Sequence, residues 1–408
     1  MTKQRYYLLI LILGSLTALG PFSIDMYLPG FPAIAKSLHT TTENVALSLS
    51  SFFIGISAGQ LLYGPLLDRF GRKNPLYFGL ALYIVASIGC YFSDSIQMLI
   101  IMRFIQAVGS CAAGVASMTM VRDIFPLEDN AKVFAMLILV LGASPLIAPT
   151  VGGYVSEAFG WQLIFIILAV IAVLISLAVI FFLPESYQPD PTYSLKPAPI
   201  INNFLTVIRT PQFYTYTFCG SLAFAGLFAY ISASPIVFME VFKVSGKAYG
   251  WIFALLSVGF IGSSQVSRFL VNRYKSEQIV NTALIAMVAI SVIFLAGALQ
   301  NWLGLVGTIF MIFGMLCCVG LISPNTSALA LAPFDKNAGT ASSLLGATQM
   351  AIGSVVSVGV SMFKAKSAVP MASIIIASSV LAFLILVVGK RNIKTKVEAK
   401  AGQGMAAH

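Results

Sequence analysis

Two ionisable residues interrupt apolar stretches of this chain: Asp25, in Ser23-Ile-Asp25-Met-Tyr-Leu-Pro29, and Arg103, in Met102-Arg103-Phe-Ile-Gln106. The chain has 14 acidic residues, and only Asp25 sits well inside an apolar run. Placing a charge in an apolar medium is costly, so such a residue is by default a functional one, most often part of a proton path. Burial favours the neutral carboxyl and a nearby guanidinium favours the carboxylate. An acid under both influences takes up or releases a proton as its surroundings change. The alternative is a structural Asp25-Arg103 pair that only ties two helices together.

Three further groups of residues have spacing that bears on function. The stretch Gly64-Pro-Leu-Leu-Asp68-Arg69-Phe-Gly71-Arg72-Lys73 puts four charges in a short hairpin, and its glycines permit close backbone approach. Gly142, Pro145, Pro149, Gly152 and Gly153 lie in a single apolar run. There the prolines remove backbone donors and bend a helix, while the small residues let another helix pack closely. Tyr27, Phe52, Tyr63, Phe224, Phe228 and Tyr230, with the sparse polar groups Gln106, Ser232 and Asn325, could wall a cavity for lipophilic aromatic molecules. Most membrane aromatics face lipid or fill the core, so any one of these taken alone reads first as packing.

Other chemistry lacks its parts. Gly55-Ile-Ser-Ala-Gly59 matches a hydrolase elbow pattern, but it lies inside an apolar run, and the only histidines are His39 and the terminal His408. There is no zinc-protease His-Glu-x-x-His pattern and no phosphate-binding lysine loop. Cys90, Cys111, Cys219, Cys317 and Cys318 have no metal-ligand spacing and read as apolar filler. No cofactor is expected. An intramembrane enzyme stands as a remote alternative without catalytic groups.

The elements that must position these residues are membrane helices. With 58% hydrophobic and 9% charged residues, and a mean hydropathy of +0.92, the chain cannot cover a water-soluble globule of 408 residues with polar surface. A bilayer core of ~30 Å takes about 20 apolar residues per helix. Twelve such runs start near Tyr6, Val45, Pro75, Ile96, Val133, Trp161, Gln212, Ala248, Gln278, Trp302, Ala338 and Val369. Their unbroken character argues for helices rather than barrel strands. Lys3 and Arg5 ahead of the first run resemble a signal peptide, but the runs that follow favour a retained anchor.

Charge sets the orientation. With the N-terminus in the cytoplasm, most Lys and Arg residues fall inside, among them Arg69, Arg72, Lys73, Arg122, Lys132, Arg268, Arg273, Lys390 and Lys394. Only Lys36, Lys243, Lys247, Lys364 and Lys366 fall outside. Both termini are then expected in the cytoplasm. The net charge of +10 follows from this topology, so no nucleic-acid partner is needed to explain it. One long connector, residues 184–211, is rich in proline and cannot form one continuous helix. It divides the chain into an N-terminal six-helix bundle (1–183) and a C-terminal one (212–389), followed by a tail (390–408). Two such halves with a site between them near the midplane are a common carrier architecture. The second half keeps only an echo of the charged hairpin, Arg268-Phe-Leu-Val-Asn-Arg273.

The hairpin Gly64–Lys73 closely resembles the cytoplasmic 2-3 loop motif of the major facilitator superfamily of secondary transporters. Within it the chain is most similar to the Bcr/CflA group of drug:proton antiporters. Seven islands in family order carry the resemblance: Ser23–Pro29, Gln60–Pro65, Met102–Gln106, Arg122-Asp123-Ile-Phe-Pro126, Pro145–Gly153, Ser232-Ala-Ser-Pro235 and Ala338-Gly-Thr-Ala-Ser-Ser-Leu344. Ala107 stands after Gln106 where glycine is common, which should slightly loosen packing of the fourth span.

The resemblance implies an all-α fold of twelve transmembrane helices and a monomeric, proton-coupled exporter of small lipophilic drugs in a bacterial inner membrane. Its partners are then the drug, protons and lipid. A proton-coupled facilitator or symporter for sugars or metabolites is the nearer rival. Asp25 and Arg103 are expected to lie at similar depth and to meet. Asp68 is expected to accept hydrogen bonds from the start of the eleventh span at Gly339 and Thr340, where helix N-H groups are unpaired. Arg72 should pair with Asp123. With Gly64, Arg69, Gly71 and Lys73, these residues would form a cytoplasmic latch that stabilises an outward-open state. The alternative is a solvated turn that only sets topology. The proline- and glycine-rich fifth span resembles the antiporter-associated motif and is expected to control leakage and rocking without touching substrate.

Overall fold

The computed structural model describes residues 2–189, 197–334, 338–363, 367–393 and 397. Among these the regular structure is entirely helical. The helices are α1 (Lys3–Asp25), α2 (Phe31–Ser37), α3 (Thr42–Phe70), α4 (Lys73–Tyr91), α5 (Ile96–Ile124), α6 (Leu127–Phe159) and α7 (Gln162–Phe182). They continue as α8 (Pro197–Ile208), α9 (Pro211–Ser234), α10 (Gly246–Leu270), α11 (Ser276–Leu299), α12 (Gly304–Leu331), α13 (Ala338–Met362) and α14 (Val369–Lys390). Twelve helical segments are long and apolar enough to cross a membrane, and they coincide with the twelve runs read from the sequence.

Local chemistry sets the helix ends. Thr41, Ser95 and Ser245 cap α3, α5 and α10, each hydroxyl accepting the N-H three residues on. Gly71 at φ 81° and Gly160 at φ 91° end α3 and α6 in a conformation that favours glycine. The first span breaks after Asp25, passing through a short 3₁₀ turn at Leu28–Gly30 before α2 resumes. The connector carries the twelve-residue α8, which begins at a proline, as suits a first helical position. Residues 190–196 lie outside the described residues, as do Lys336, Lys364, Lys366, Lys394 and His408.

Helices α1 and α3–α7 pack on one another, as do α9–α14, and the two groups meet chiefly along two seams, α3 against α13 and α6 against α10. Glycines set the closeness of packing. A Cβ on Gly55 would sit 2.7 Å from the Ala107 Cβ, and one on Gly59 would sit 2.7 Å from the Cys111 Cβ. The Gly55–Gly59 stretch is therefore a packing surface for α5. This corrects the expectation for Ala107: the contact there is tight, because Gly55 on the facing helix makes room for the methyl group.

Candidate functional site

A cavity of ≈ 570 Å³ opens between the two helix groups at the end that carries the Gly64–Lys73 hairpin. From α1 it takes Thr17, Gly20, Pro21 and Ile24, and from α3 it takes Gln60, Leu61, Gly64, Pro65 and Asp68. Ser110, Cys111, Gly114, Met118 and Arg122 come from α5, Asn203 and Phe204 from α8, and Gly339, Thr340, Ser343, Gly346 and Met350 from α13. Residues 60, 64 and 68 share one face of a helix, as do 110, 114 and 118. The walls are mostly apolar, with scattered hydroxyl and amide groups and charges confined to the mouth at Asp68 and Arg122. The amide oxygen of Gln60 is buried without a partner and lies against Gly346.

Toward the opposite end the two groups touch along both seams, beside a second cavity of ≈ 600 Å³ bordered by Thr41, Thr42, Glu43, Glu240 and Ser361. Along the α3–α13 seam, Ser50 and Ser357 share a hydrogen bond of 2.6 Å, and the Ser57 hydroxyl donates to the Ala347 carbonyl at 2.9 Å. Beside this seam, the Phe53 ring of α3 meets the Phe228 ring of α9 edge to face. On the α6–α10 seam, a Cβ on Gly153 would come within 2.6 Å of the Gly246 carbonyl oxygen, and one on Gly250 within 2.9 Å of the Pro149 carbonyl oxygen. Gly142 faces Ile261 of α10, and Gly152 packs on the Met26 carbonyl at the break in the first span. The proline- and glycine-rich run, with Pro145 and Pro149 inside α6, thus forms the contact with the other helix group.

Asp25 is buried at the end of α1 and makes no hydrogen bond or ion pair among the described residues. It lies within electrostatic reach of Tyr230 and Tyr249 of the second helix group. Arg103 is fully buried in an aromatic cage, with Phe52 4.2 Å, Tyr27 4.6 Å and Phe165 5.8 Å from the guanidinium carbon. One of its nitrogens donates to Gln106 at 2.6 Å, and Gln106 donates onward to Ser87 at 2.7 Å. Nε and Nη2 have no partner. The expected Asp25–Arg103 contact is therefore not made. The helix break turns Asp25 toward the second group, while the cage holds Arg103 within the first.

The aromatics singled out from sequence do not line the open cavity. Tyr27 and Phe52 belong to the Arg103 cage, and Tyr27 shares a hydrogen bond with Ser48. Tyr63 is buried against α4 at Gly79. Phe224 and Phe228 pack together, and Tyr230 stacks on Phe253. Ser232 bonds Ser357 at 2.7 Å, and Asn325 bonds Ser267 at 2.7 Å. Residue type marked these positions, but the rotation of each helix about its axis decides which of them face an opening, and packing sets that rotation.

In the hairpin, Arg72 reaches Asp123 through Nε and Asp68 through Nη1, both at 2.8 Å. Burial works against its charge, but the hydrogen bonds it donates to Asp123 and Asp68, with their negative charges, outweigh it and hold the guanidinium above its ordinary pKa. Arg69 lies beside the Phe70 ring, and Lys73 donates to the Leu183 carbonyl at 2.8 Å. Asp68 does not reach Gly339 or Thr340 by any hydrogen bond, although all three border the same cavity. Sequence reasoning missed Glu185, whose carboxylate accepts the backbone N-H groups of Arg72 at 2.9 Å and Lys73 at 3.0 Å. It also missed Tyr187, whose ring covers Arg72 at 4.2 Å. The only signal for them was an acid and an aromatic just past the sixth span.

Comparison with known proteins agrees with this architecture. Residues 13–358 match the family model described as Major Facilitator Superfamily. A "Bicyclomycin resistance protein homolog" of Haemophilus influenzae is 33% identical, over 97% of this chain and 99% of its own length. A "Chloramphenicol resistance protein" of Pseudomonas aeruginosa is 28% identical, over 81% of this chain and 78% of its own length. The crystal structure of a D-xylose-proton symporter superposes with a TM-score of 0.74 at 15% identity, over 98% of this chain and 99% of that one. A bacterial homologue of the lysosomal transporter Spinster superposes with a TM-score of 0.71 at 13% identity, over 96% of each chain. The chain belongs to the major facilitator superfamily and is of its Bcr/CflA type.

Proposed function

We propose that this multi-pass membrane transporter exports small lipophilic drugs across a bacterial inner membrane in exchange for protons, by alternating access. The observation that carries the export reading is the end-to-end match to relatives named as resistance proteins. The excess of Lys and Arg at the hairpin end supports a cytoplasmic placement of that end and of both termini. The cavity then opens inward, and its mostly apolar walls suit a lipophilic molecule taken from the cytoplasm or the inner leaflet. Two six-helix bundles, 1–183 and 212–389, would rock about the α3–α13 and α6–α10 seams, with the chain acting as a monomer.

Asp25 would take a proton when the outer end is open and release it when the inner end is open. Arg103, with two nitrogens unpartnered, is the cation that would favour ionised Asp25 if the two approach during the cycle. In the outward-open state, Asp68 would meet the start of α13, with Arg72, Asp123 and the surrounding glycines forming the latch. A proton moving inward down 100 mV releases about 2.3 kcal/mol, enough for roughly a fiftyfold gradient of an uncharged drug.

The test uses acidified inverted vesicles challenged with chloramphenicol, a sulfonamide or bicyclomycin. A rise in internal pH on drug addition is expected. No response to any drug, together with proton-driven uptake of a sugar or metabolite in intact cells, would replace export with the symporter reading.

A further inference from the structure

At the closed end, α10 begins beside the last turn of α6. Ser245 caps α10 by accepting the N-H of Ala248 at 3.3 Å, and the N-H of Tyr249 reaches the Ser245 carbonyl at 2.8 Å. The N-H of Lys247, which neither bond uses, donates to Oε1 of Glu157 at 3.1 Å, from the other helix group. The second carboxylate oxygen of Glu157 lies 3.3 Å from Nζ of Lys247, which also lies 5.2 Å from the Tyr154 ring one turn earlier on α6. The backbones are close enough for this because both helices have glycine at the crossing. A Cβ on Gly246 would meet Glu157 Oε1 at 3.1 Å, and one on Gly153 would meet the Gly246 carbonyl oxygen at 2.6 Å.

We propose that Glu157 is the latch of the closed end, a carboxylate of one helix group seated on the N-terminus of α10 in the other, and that it alternates with Asp68 and the N-terminus of α13 at the opposite end. The two arrangements use the same chemistry. Each places an acid from one end of a seam helix where a facing helix presents unpaired N-H groups and partial positive charge. In this structure Glu157 is engaged while Asp68 is turned to Arg72 and the α13 start borders an open cavity. The proposal rests on the alternating-access reading for its consequence but not for its geometry.

The half-exposed Glu157–Lys247 ion pair contributes little by itself, since solvent screens it. The backbone cap and the glycine contact carry the closure, so the two kinds of variant separate. Glu157→Gln removes the charge that the helix N-terminus favours, while Lys247→Ala keeps the backbone N-H and removes only the side-chain partner. The Thr42 hydroxyl donates to Glu240 at the same end as a second tie. Glu157→Gln should therefore loosen closure rather than abolish it, changing the ratio of the two states about three- to tenfold.

The experiment attaches spin labels to the full-length protein in nanodiscs and measures distances by electron double resonance. One pair sits at the exposed turns Asp94 and Gln300 at the closed end, and the other at Asn74 and Tyr274 at the open end. Glu157→Gln is expected to raise the population with a long Asp94–Gln300 distance and a short Asn74–Tyr274 distance, with Lys247→Ala close to the parent and Glu157→Asp intermediate. Opposed changes at the two ends separate a shift of state from general loosening, which would broaden both distributions. Unchanged distances in Glu157→Gln, broadening of both pairs without a shift, or an equal effect of Lys247→Ala would overturn the proposal. No substrate is needed, so a missing drug response with shifted distances would remove the export reading and leave the latch standing.

Discussion

Arg103 is a charge held where charge is expensive, with two of its nitrogens unmatched and three aromatic faces around it. If it served only to hold helices together, replacing it with a similarly shaped apolar residue would weaken the fold. Removing a poorly compensated buried ion in favour of good apolar packing is instead often neutral or stabilising by about 1–4 kcal/mol. Arg103→Met is therefore expected to keep or raise the melting temperature in detergent while ending proton-coupled transport. A fall in melting temperature that parallels the fall in transport would assign it a structural role. Asp25 makes the complementary case, since Asp25→Asn keeps its size and removes its titration. Counterflow of drug down its own gradient should survive in that variant, and accumulation against a gradient should vanish; accumulation like that of the parent would remove Asp25 from the coupling. Both residues were visible in the sequence because charge is so rare in these runs. Their separation was not, because it depends on the break between Asp25 and Gly30 and on the cage around Arg103, and both are products of packing.

The helices themselves could be read almost to their ends, since apolar length and capping residues are local properties. What one sequence could not give was the face that each helix presents. Gly55 and Gly59 matched a catalytic pattern and turned out to fit the Ala107 and Cys111 side chains, a relation visible only once α3 and α5 are placed together. The α6 run was legible as a packing surface, though its partners Met26, Gly246 and Gly250 were not. Gly152 is the most demanding of these positions, because a Cβ there would lie 1.9 Å from the Met26 carbonyl oxygen, a backbone atom that cannot step aside. Gly152→Ala must push α6 away from the break that follows Asp25. An overpacking cost of about 1–3 kcal/mol is expected, together with proton leak through the loosened closed end. Leak is read as pH decay in proteoliposomes without drug. A variant as tight and as stable as the parent would mean that α6 does not seal that end.

At the scale of the whole molecule, one end is open and the other is held by hydrogen bonds, ring contacts and glycine crossings, so the state can be tested by access alone. Ser343 borders the cavity from α13 and Gly64 lies opposite, with the Ser343 hydroxyl 3.7 Å from where a Gly64 Cβ would stand. In a background free of native cysteines, a thiol at Ser343→Cys should react with a membrane-impermeant maleimide in inverted vesicles, where the hairpin side is exposed. It should stay unreacted in intact cells, because the α3–α13 and α6–α10 contacts lie between it and the other face. A drug that occupies the cavity should slow the reaction from the hairpin side, and removing the drug should restore it. Equal labelling of Ser343→Cys from both faces would mean that the seams do not close this protein in a membrane. Labelling from the outer face alone would mean that the hairpin end is the one held shut. Labelling from the hairpin side with drug protection joins the cavity, the seams and the cargo in one measurement, because only an occupied, one-sided cavity gives both results.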